Sequence, residues 1–440
     1  MPGAGLSVDP EHGAGHGARR VVLGVGGGIA AYKVADLLRK LTEAGHDVTV
    51  VPTRAALKFV GVSTWAALSR NAVAIDVWTS AEDVPHVRLG RQAELVVVAP
   101  ATADLLARAA NGLADDLLTN TLLTARCPVL FVPAMHTEMW EHPATQANVA
   151  LLRRRGVIVL EPATGRLTGK DSGPGRLPEP AGIFAVATRL LSRGAVAADL
   201  AGRRVVVSAG GTREEIDPVR FIGNWSTGTQ GYALASTAAA RGAEVTVVAA
   251  NVALPDPAGT KVTRVVSARE MHDAVLAAAN GADAVVMAAA VADYRPAARS
   301  AAKIKKDGQP PEPLRLTENP DILAGLAAVR KARDAARSAH DPERAGLVPP
   351  APPSQILVGF AAETDTSPEQ ARAKLERKGC DLLVVNPVGN GLGFGTPDNE
   401  AVVYGADGTV TPISRGPKDA LADVVWDLVV ARLNETVGRG

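Results

Sequence analysis

A chain of 440 residues, 47% hydrophobic and 21% charged with a formal net charge of +1, has room for roughly two to four packed domains and no global field that would draw it onto nucleic acid or anionic lipid. No apolar stretch reaches the roughly 18–20 residues of a membrane span, and the opening "MPGAGLSVDPEHGAGHGARR" has no signal-peptide core, so it reads as a disordered tail over 1–18 whose histidines are incidental. With only Cys127 and Cys380, a disulfide scaffold or a cysteine-rich metal site is excluded, and a reducing, cytoplasmic location is expected.

In chain order, "RRVVLGV" (19–25) predicts a first strand, followed by glycines and a helical pattern from Ile29 to Ala44. Strands are predicted at 46–51, 93–99, 128–133 and 156–162, with helices at 103–111 and 115–125 between them. Continuous apolar runs separated by helices predict a parallel, doubly wound α/β sheet. The polar, Gly/Pro-rich stretch 163–180 is either a linker or a lid over a site. After a helix at 181–192 the pattern restarts: "RRVVVSAGGT" (203–212) repeats "RRVVLGVGGG" (19–28), and "RGAEVTVVAA" (241–250) echoes "AGHDVTVVPT" (44–53). Two α/β units joined near residue 195 follow, the second extended by strands at 283–288, 355–359 and 381–385. Residues 331–354 look like a helix tail and a Pro-rich surface insertion without chemistry.

Several segments then carry possible chemistry. "GVGGGIA" (24–30) is either a phosphate cradle at a helix N-terminus or a tight strand–helix turn. An NAD site would want an acid closing the second strand; "VVPTRAA" (50–56) and "VVAANVA" (247–253) have none, so NAD is disfavoured and a mononucleotide stays open. "APATADLLARAANGLADDLLT" (99–119) and "PAMH" (133–136) begin where neighbouring strands end, so the two loops should converge on one crevice. Met135 and Met139 are either core fillers or the wall for a flat apolar ligand. His86 in "DVPHVRLG" (83–90) says nothing alone. Lys303, Lys305 and Lys306, with Lys374 and Lys378 at i,i+4 spacing, crowd cations in a way that suggests a polyphosphate partner.

Together these motifs resemble, from about residue 20 to 435, the bifunctional phosphopantothenoylcysteine decarboxylase/phosphopantothenate–cysteine ligase family of coenzyme A synthesis. The first half carries the likeness in "GGIAAYK" (27–33), "PHVRLG", "APATADLLARAANGLADDLL", "PAMH" and "DSGPGRL" (171–177). The second carries it in "AGGTREEIDPVRFIGNWSTG" (209–228), "AAVADYRP" (289–296), "KIKK" (303–306), "ENPDIL" (318–323) and "GFAAET" (359–364).

The resemblance implies two Rossmann-like three-layer α/β/α domains: a flavoprotein-type decarboxylase over 19–194 and a ligase over 195–440. For the first it implies FMN, with the phosphate on Gly27, Gly28, Ile29 and Ala30, flavin contacts from Thr53, Phe59 and Met139, and His86 as the catalytic proton relay. His136 stands where the family has a substrate-binding asparagine; its N–H can donate the same hydrogen bond. The family's flap cysteine, which protonates the enethiol, is missing from "LTGKDSG" (167–173). Thr168, Lys170, Asp171 or water then delivers the proton, or the decarboxylase half is impaired beside an active ligase.

For the second half the resemblance implies ligation of 4'-phosphopantothenate to cysteine through an acyl-cytidylate made from CTP, with Mg²⁺ on the phosphates and unknown metal ligands. It assigns Asn224 to forming or holding that intermediate, counts Arg220, one helical turn before it, among the catalytic residues, and assigns Lys303 to the intermediate's conversion. It places Met287, Ala288, Ala289, Asp293, Pro320, Asp321, Ile322, Leu323, Phe360, Lys374 and Lys378 on CTP. The product, 4'-phosphopantothenoylcysteine, would feed the decarboxylase. Where the family reads Gly-Lys-Met-Gly this chain reads "GTQG" (228–231), losing one cation. A homo-oligomer is implied, with trimeric flavoprotein and dimeric ligase domains; nucleic acid and membrane are not expected partners.

Overall fold

The computed structural model describes residues 18–76, 84–167, 171–193, 198–305, 313–338, 355–363, 367–388, 396 and 398–437. Most of the N-terminal tail expectation (1–17) and the Pro-rich part of the insertion (339–354) fall outside these residues.

Five strands, β1 (Arg20–Val25), β2 (Asp47–Pro52), β3 (Leu95–Ala101), β4 (Val129–Pro133) and β5 (Ile158–Val159), form one parallel sheet in the order β2-β1-β3-β4-β5. Their near-continuous apolar sequence reflects cover by helices on both faces, and β3 is buried at every residue. The strand order reverses between β1 and β3, which opens a crevice at their carboxyl ends. The fifth strand is shorter than predicted, two residues rather than seven. Beyond Val159 the chain turns into a hairpin, β6 (Ala163–Arg166) and β7 (Ser172–Arg176).

The second sheet has eight strands in the order β12-β11-β8-β13-β16-β17-β18-β19. Here β8 is Arg204–Gly210, β11 Glu244–Ala250, β12 Thr260–Val265, β13 Ala284–Met287, β16 Ile356–Glu363, β17 Leu382–Pro387, β18 Asp398–Gly405 and β19 Val410–Pro417. Two short hairpins, β9 (Arg213–Glu215) with β10 (Phe221–Gly223) and β14 (Tyr294–Pro296) with β15 (Leu316–Glu318), stand on the loops after β8 and β13. The repeated motifs occupy equivalent places: β1 pairs with β2 from Arg20↔Asp47, and β8 with β11 from Arg204↔Glu244. The antiparallel strands β18 and β19 and the helix Lys418–Val437 were not anticipated from sequence. Along β19 exposure alternates, so that strand has no continuous apolar run.

The sheets share no strand, but the halves touch. Helix Pro180–Arg193 lies on helix Thr229–Ala240, and Ala240 is buried in the first core. At this junction Arg241 is fully buried; its guanidinium donates to Asp199 (Nε to Oδ1, 2.7 Å) and pairs with Asp427 (2.8 Å). Arg193 pairs with Asp423 at 2.9 Å, and burial pushes the Asp423 carboxyl up despite the arginines around it.

Candidate functional sites

In the first crevice, the loop after β1 is held by backbone. Gly26 N–H donates to Pro100 O (3.1 Å), and a Cβ on Gly26 would lie 2.3 Å from that oxygen; one on Gly27 would lie 2.3 Å from Ala55 Cβ. These two glycines permit close packing. Gly28 differs: the nearest atoms to its virtual Cβ, on Pro100 and Thr102, are 3.9 Å away. Helix Ala31–Glu43 starts beside it with no side-chain cap and no acid in its first turn, its positive end facing the loop, although Ala31, Tyr32 and Lys33 N–H turn back onto the carbonyls of Gly28, Ile29 and Ala30. A phosphate group fits this cradle. Thr53, at the end of β2, accepts from Ala56 N–H (3.2 Å) and so fixes the turn that ends in half-exposed Phe59.

The loops after β3 and β4 do converge. Ala134 N–H donates to Ala101 O (3.1 Å), and the stretch predicted as linker or lid rests on them: Met135 N–H donates to Gly175 O at 2.9 Å. A Cβ on Gly175, at φ +141, would lie 2.2 Å from Met135 O, so only glycine lets the hairpin lie this close. The contact fits a lid. Met135 packs on the core while Met139 is 47% exposed. His136 is exposed and begins the turn Thr137–Glu141, its carbonyl accepting from Met139 and Trp140 N–H. Asp171 is exposed at the hairpin; Thr168 and Lys170 lie outside the described residues.

His86 follows Val84, whose φ of 44 is unusual for a β-branched residue, and lies in the first turn of helix Pro85–Gln92. Its Nδ1 is buried without an acceptor or donor among the described residues, while its carbonyl accepts from Thr124 Oγ1 (2.8 Å). No hydrogen bond joins it to the glycine loop or to His136. Cys127 precedes β4, at the opposite end from His136, and burial pushes its thiol up to about 11.

The second site is a cleft of about 1230 Å³ at the carboxyl ends of β8, β13 and β16. Asn224, Met287–Ala289, Asp293, Pro320–Leu323, Phe360, Lys374 and Lys378 all line it. Hydrogen bonds between loops build its floor: Ala289 N–H to Ser208 Oγ (3.1 Å), Ala292 N–H to Thr212 Oγ1 (2.9 Å) and Asn319 Nδ2 to Ala292 O (2.8 Å). Asn224 Nδ2 donates to Val291 O at 3.2 Å, leaving its carbonyl and a second N–H toward the cleft. The position where a dinucleotide site would carry an acid holds Asn251, whose Nδ2 bonds Gly211 O (2.9 Å) and Val266 O (3.0 Å).

Two sequence expectations need correction. Lys374 and Lys378 are not a crowded pair awaiting an anion: each already meets a carboxylate, Glu363 and Asp321 respectively, at 2.6 Å. Burial would raise the Asp321 carboxyl, but its bond to Lys378 and the Ala324 N–H hold it below the usual range. Lys303 and Arg220 do not line the cleft with the other predicted residues. Lys303 and Lys305 are exposed, and Lys306 lies outside the described residues.

The loop of Lys303 is held by Asp217, which sequence reasoning passed over. Burial opposes its charge, yet N–H groups of Val219 (2.8 Å), Ile304 (3.1 Å) and Arg220 (2.9 Å) hold its carboxyl low. Arg220 closes the clasp by donating to Ile304 O (3.2 Å). The aspartate in "EEIDPVRF" was the only signal for this. Lys418, Asn399 and Asn319 line the cleft without having been predicted.

Among the described residues no three histidine, cysteine or acidic side chains gather to hold a metal, and no helix is long and apolar enough to cross a membrane.

A flavoprotein family model matches residues 11–192, and one described as the DNA/pantothenate metabolism flavoprotein C-terminal domain matches 200–336 and 346–433. The coenzyme A biosynthesis bifunctional protein CoaBC of Mycobacterium bovis is 56% identical over 421 residues, covering 94% of this chain and 97% of that protein. Its counterpart in Mycolicibacterium smegmatis is 55% identical over 426 residues, covering 96% and 99%. A crystal structure of the C-terminal domain of a protein of that name superposes with a TM-score of 0.42 at 32% identity, covering 54% of this chain and 99% of the other.

Proposed function

The chain belongs to the family of coenzyme A biosynthesis bifunctional proteins, and from that premise we propose that its second half joins 4'-phosphopantothenate to cysteine using CTP while its first half, using FMN, decarboxylates the product. It is an enzyme with a decarboxylase-type and a ligase-type half. The division near residue 195, the cytoplasmic location and the trimer-and-dimer assembly belong to this proposal.

The observation that most supports the ligase reading is the cleft, where Asn224 and all eleven positions expected at CTP share one wall system. Catalysis of this type is largely positioning and charge neutralisation. Asn224 orients the attacking carboxylate of phosphopantothenate against the α-phosphate, and Phe360 with Met287–Ala289 encloses the base end. Lys303, on its clasped loop, serves the second step, in which the cysteine amine displaces CMP.

In the first half the N-terminus of helix Ala31–Glu43 and the open side of Gly28 would hold the phosphate of FMN. When bound, the flavin supplies reversible two-electron oxidation of the substrate thiol. His136 donates a hydrogen bond to the substrate carboxylate, and the β6–β7 hairpin covers it. His86, with its unpartnered ring nitrogen, moves the proton. The enethiol takes its proton from the hairpin or from water: the Cys127 thiol is at the wrong end of β4 and stays protonated to about 11.

One purified chain given 4'-phosphopantothenate, cysteine and either CTP or ATP tests both halves. Pyrophosphate with CTP, followed by CO₂ from a yellow protein, is the expected result. Pyrophosphate only with ATP would remove the CTP reading; ligation without CO₂ would leave an active ligase beside an impaired flavoprotein half. Lys303→Gln is expected to accumulate acyl-cytidylate, detectable by mass spectrometry, and a variant that turns over without it refutes the role given to Lys303.

A further inference from the structure

Lys418 is out of place by every ordinary rule for a lysine. It is only 6% exposed, whereas lysine is almost never buried without a partner. It is the first residue of helix Lys418–Val437, where the helix end is itself positive, and its backbone lies against the start of a second helix, Thr229–Ala240. The contact is specific: Gln230 Nε2 donates to Lys418 O (3.3 Å), and Gln230 Oε1 accepts from Asn399 Nδ2 (3.2 Å). Among the described residues no carboxylate pairs with its ammonium; the neighbouring Asp419 is taken by Arg189 at 2.8 Å. The other two lysines lining the cleft, Lys374 and Lys378, both have carboxylate partners. A cation on a largely buried side chain, set at two positive helix ends with no carboxylate partner, is unfavourable unless an anion comes to it.

We propose that Lys418 is the residue that binds the polyphosphate of the nucleotide, acting with the N-terminus of helix Thr229–Ala240. The proposal rests on the reading of this cleft as a nucleoside triphosphate site. The first turn of that helix carries no charge of its own, Thr229 standing where a lysine is expected from the family pattern, so the cation comes from Lys418 at the neighbouring helix end. Desolvation holds the Lys418 ammonium below the ordinary lysine range, and a bound polyphosphate would reverse that shift. The rival account is that the four-carbon stem merely packs. Methionine keeps such a stem and drops the charge, so it separates the two.

Binding of CTP and of CMP to the full-length, flavin-loaded chain is compared for the wild type, Lys418→Met and Lys418→Arg. The methionine variant is expected to bind CTP at least about tenfold more weakly, roughly 1.4 kcal/mol, with CMP affinity, flavin content and melting temperature unchanged. Arginine is expected to restore most of the loss. Unchanged CTP affinity, or equal loss for CTP and CMP, overturns the proposal. A wild type that binds no CTP instead overturns the reading of the cleft. Should the methionine variant not fold, pyridoxal phosphate with borohydride labels lysines of the wild type. Protection of Lys418 by CTP but not by CMP supports the assignment, and equal labelling with both defeats it.

Discussion

The two halves begin with nearly the same sequence and the same strand pairing, yet they treat charge in opposite ways. In the first crevice the proposed phosphate cradle is mainly backbone: a helix without a side-chain cap, an open Gly28, and a first turn whose one charge, Lys33, already meets Glu179 at 3.5 Å. In the second cleft cations come from side chains on separate segments, Lys374 and Lys378 from one helix and Lys418 from another, with carboxylates already matched to two of them. One phosphate monoester can be satisfied by N–H groups and a helix end. The nucleoside triphosphate proposed for the second cleft, bound and then losing pyrophosphate, would need charge spread over several walls. The shared fold thus provides the crevice, and the loops and late helices decide what anion it can hold.

That contrast can be broken first at His86. His86→Asn is expected to abolish CO₂ release while ligation continues at the wild-type rate, measured on one preparation; equal loss of both would deny separate sites. Asp217→Ala should come next, releasing the loop that carries Lys303. Ligation kcat should fall by up to about a hundredfold, as expected of misplaced catalytic groups, with CTP affinity little changed, and loss of CTP affinity instead would assign Asp217 to nucleotide binding.

The glycines offer a smaller, sharper comparison. Gly26→Ala puts a methyl against Pro100 O and is expected to destabilise the chain by about 1–3 kcal/mol in thermal or denaturant unfolding. Gly28→Ala should leave stability nearly unchanged and weaken flavin retention, read from absorbance after gel filtration; reversed outcomes would exchange the two roles. The smallest effect concerns the thiols. With burial raising both Cys127 and Cys380 to about 11, thiolate is scarce below that value, so alkylation at pH 8 should be slow and should accelerate only as pH rises toward 11. Rapid labelling of Cys127 at pH 8 would reopen it as a proton donor.

Much of the architecture was legible because it rests on local signals. Continuous apolar runs gave β1 to β4 and β8 to within a residue or two at most ends, and the capping box Ser367–Gln370 marks the helix that carries Lys374 and Lys378. The strands β18 and β19 were missed because neither is a continuous apolar run: burial alternates along much of β18 and along β19, which lies at the sheet's edge, and they pair antiparallel as a hairpin, not through a helix crossover. Within the site, residues in long motifs were found, whereas Asp217 and Lys418 were not: each matters through a partner remote in sequence, Ile304 for one and Gln230 for the other.

By itself, then, the sequence determined the two doubly wound units, the turns at their strand ends and the residue types offered to ligands, since those follow from hydrophobic period and backbone preference. Only the tertiary structure decided which charges are already matched and which wait for an anion. Ion pairing depends on distance and burial, and both are set when segments remote in the chain are packed against one another.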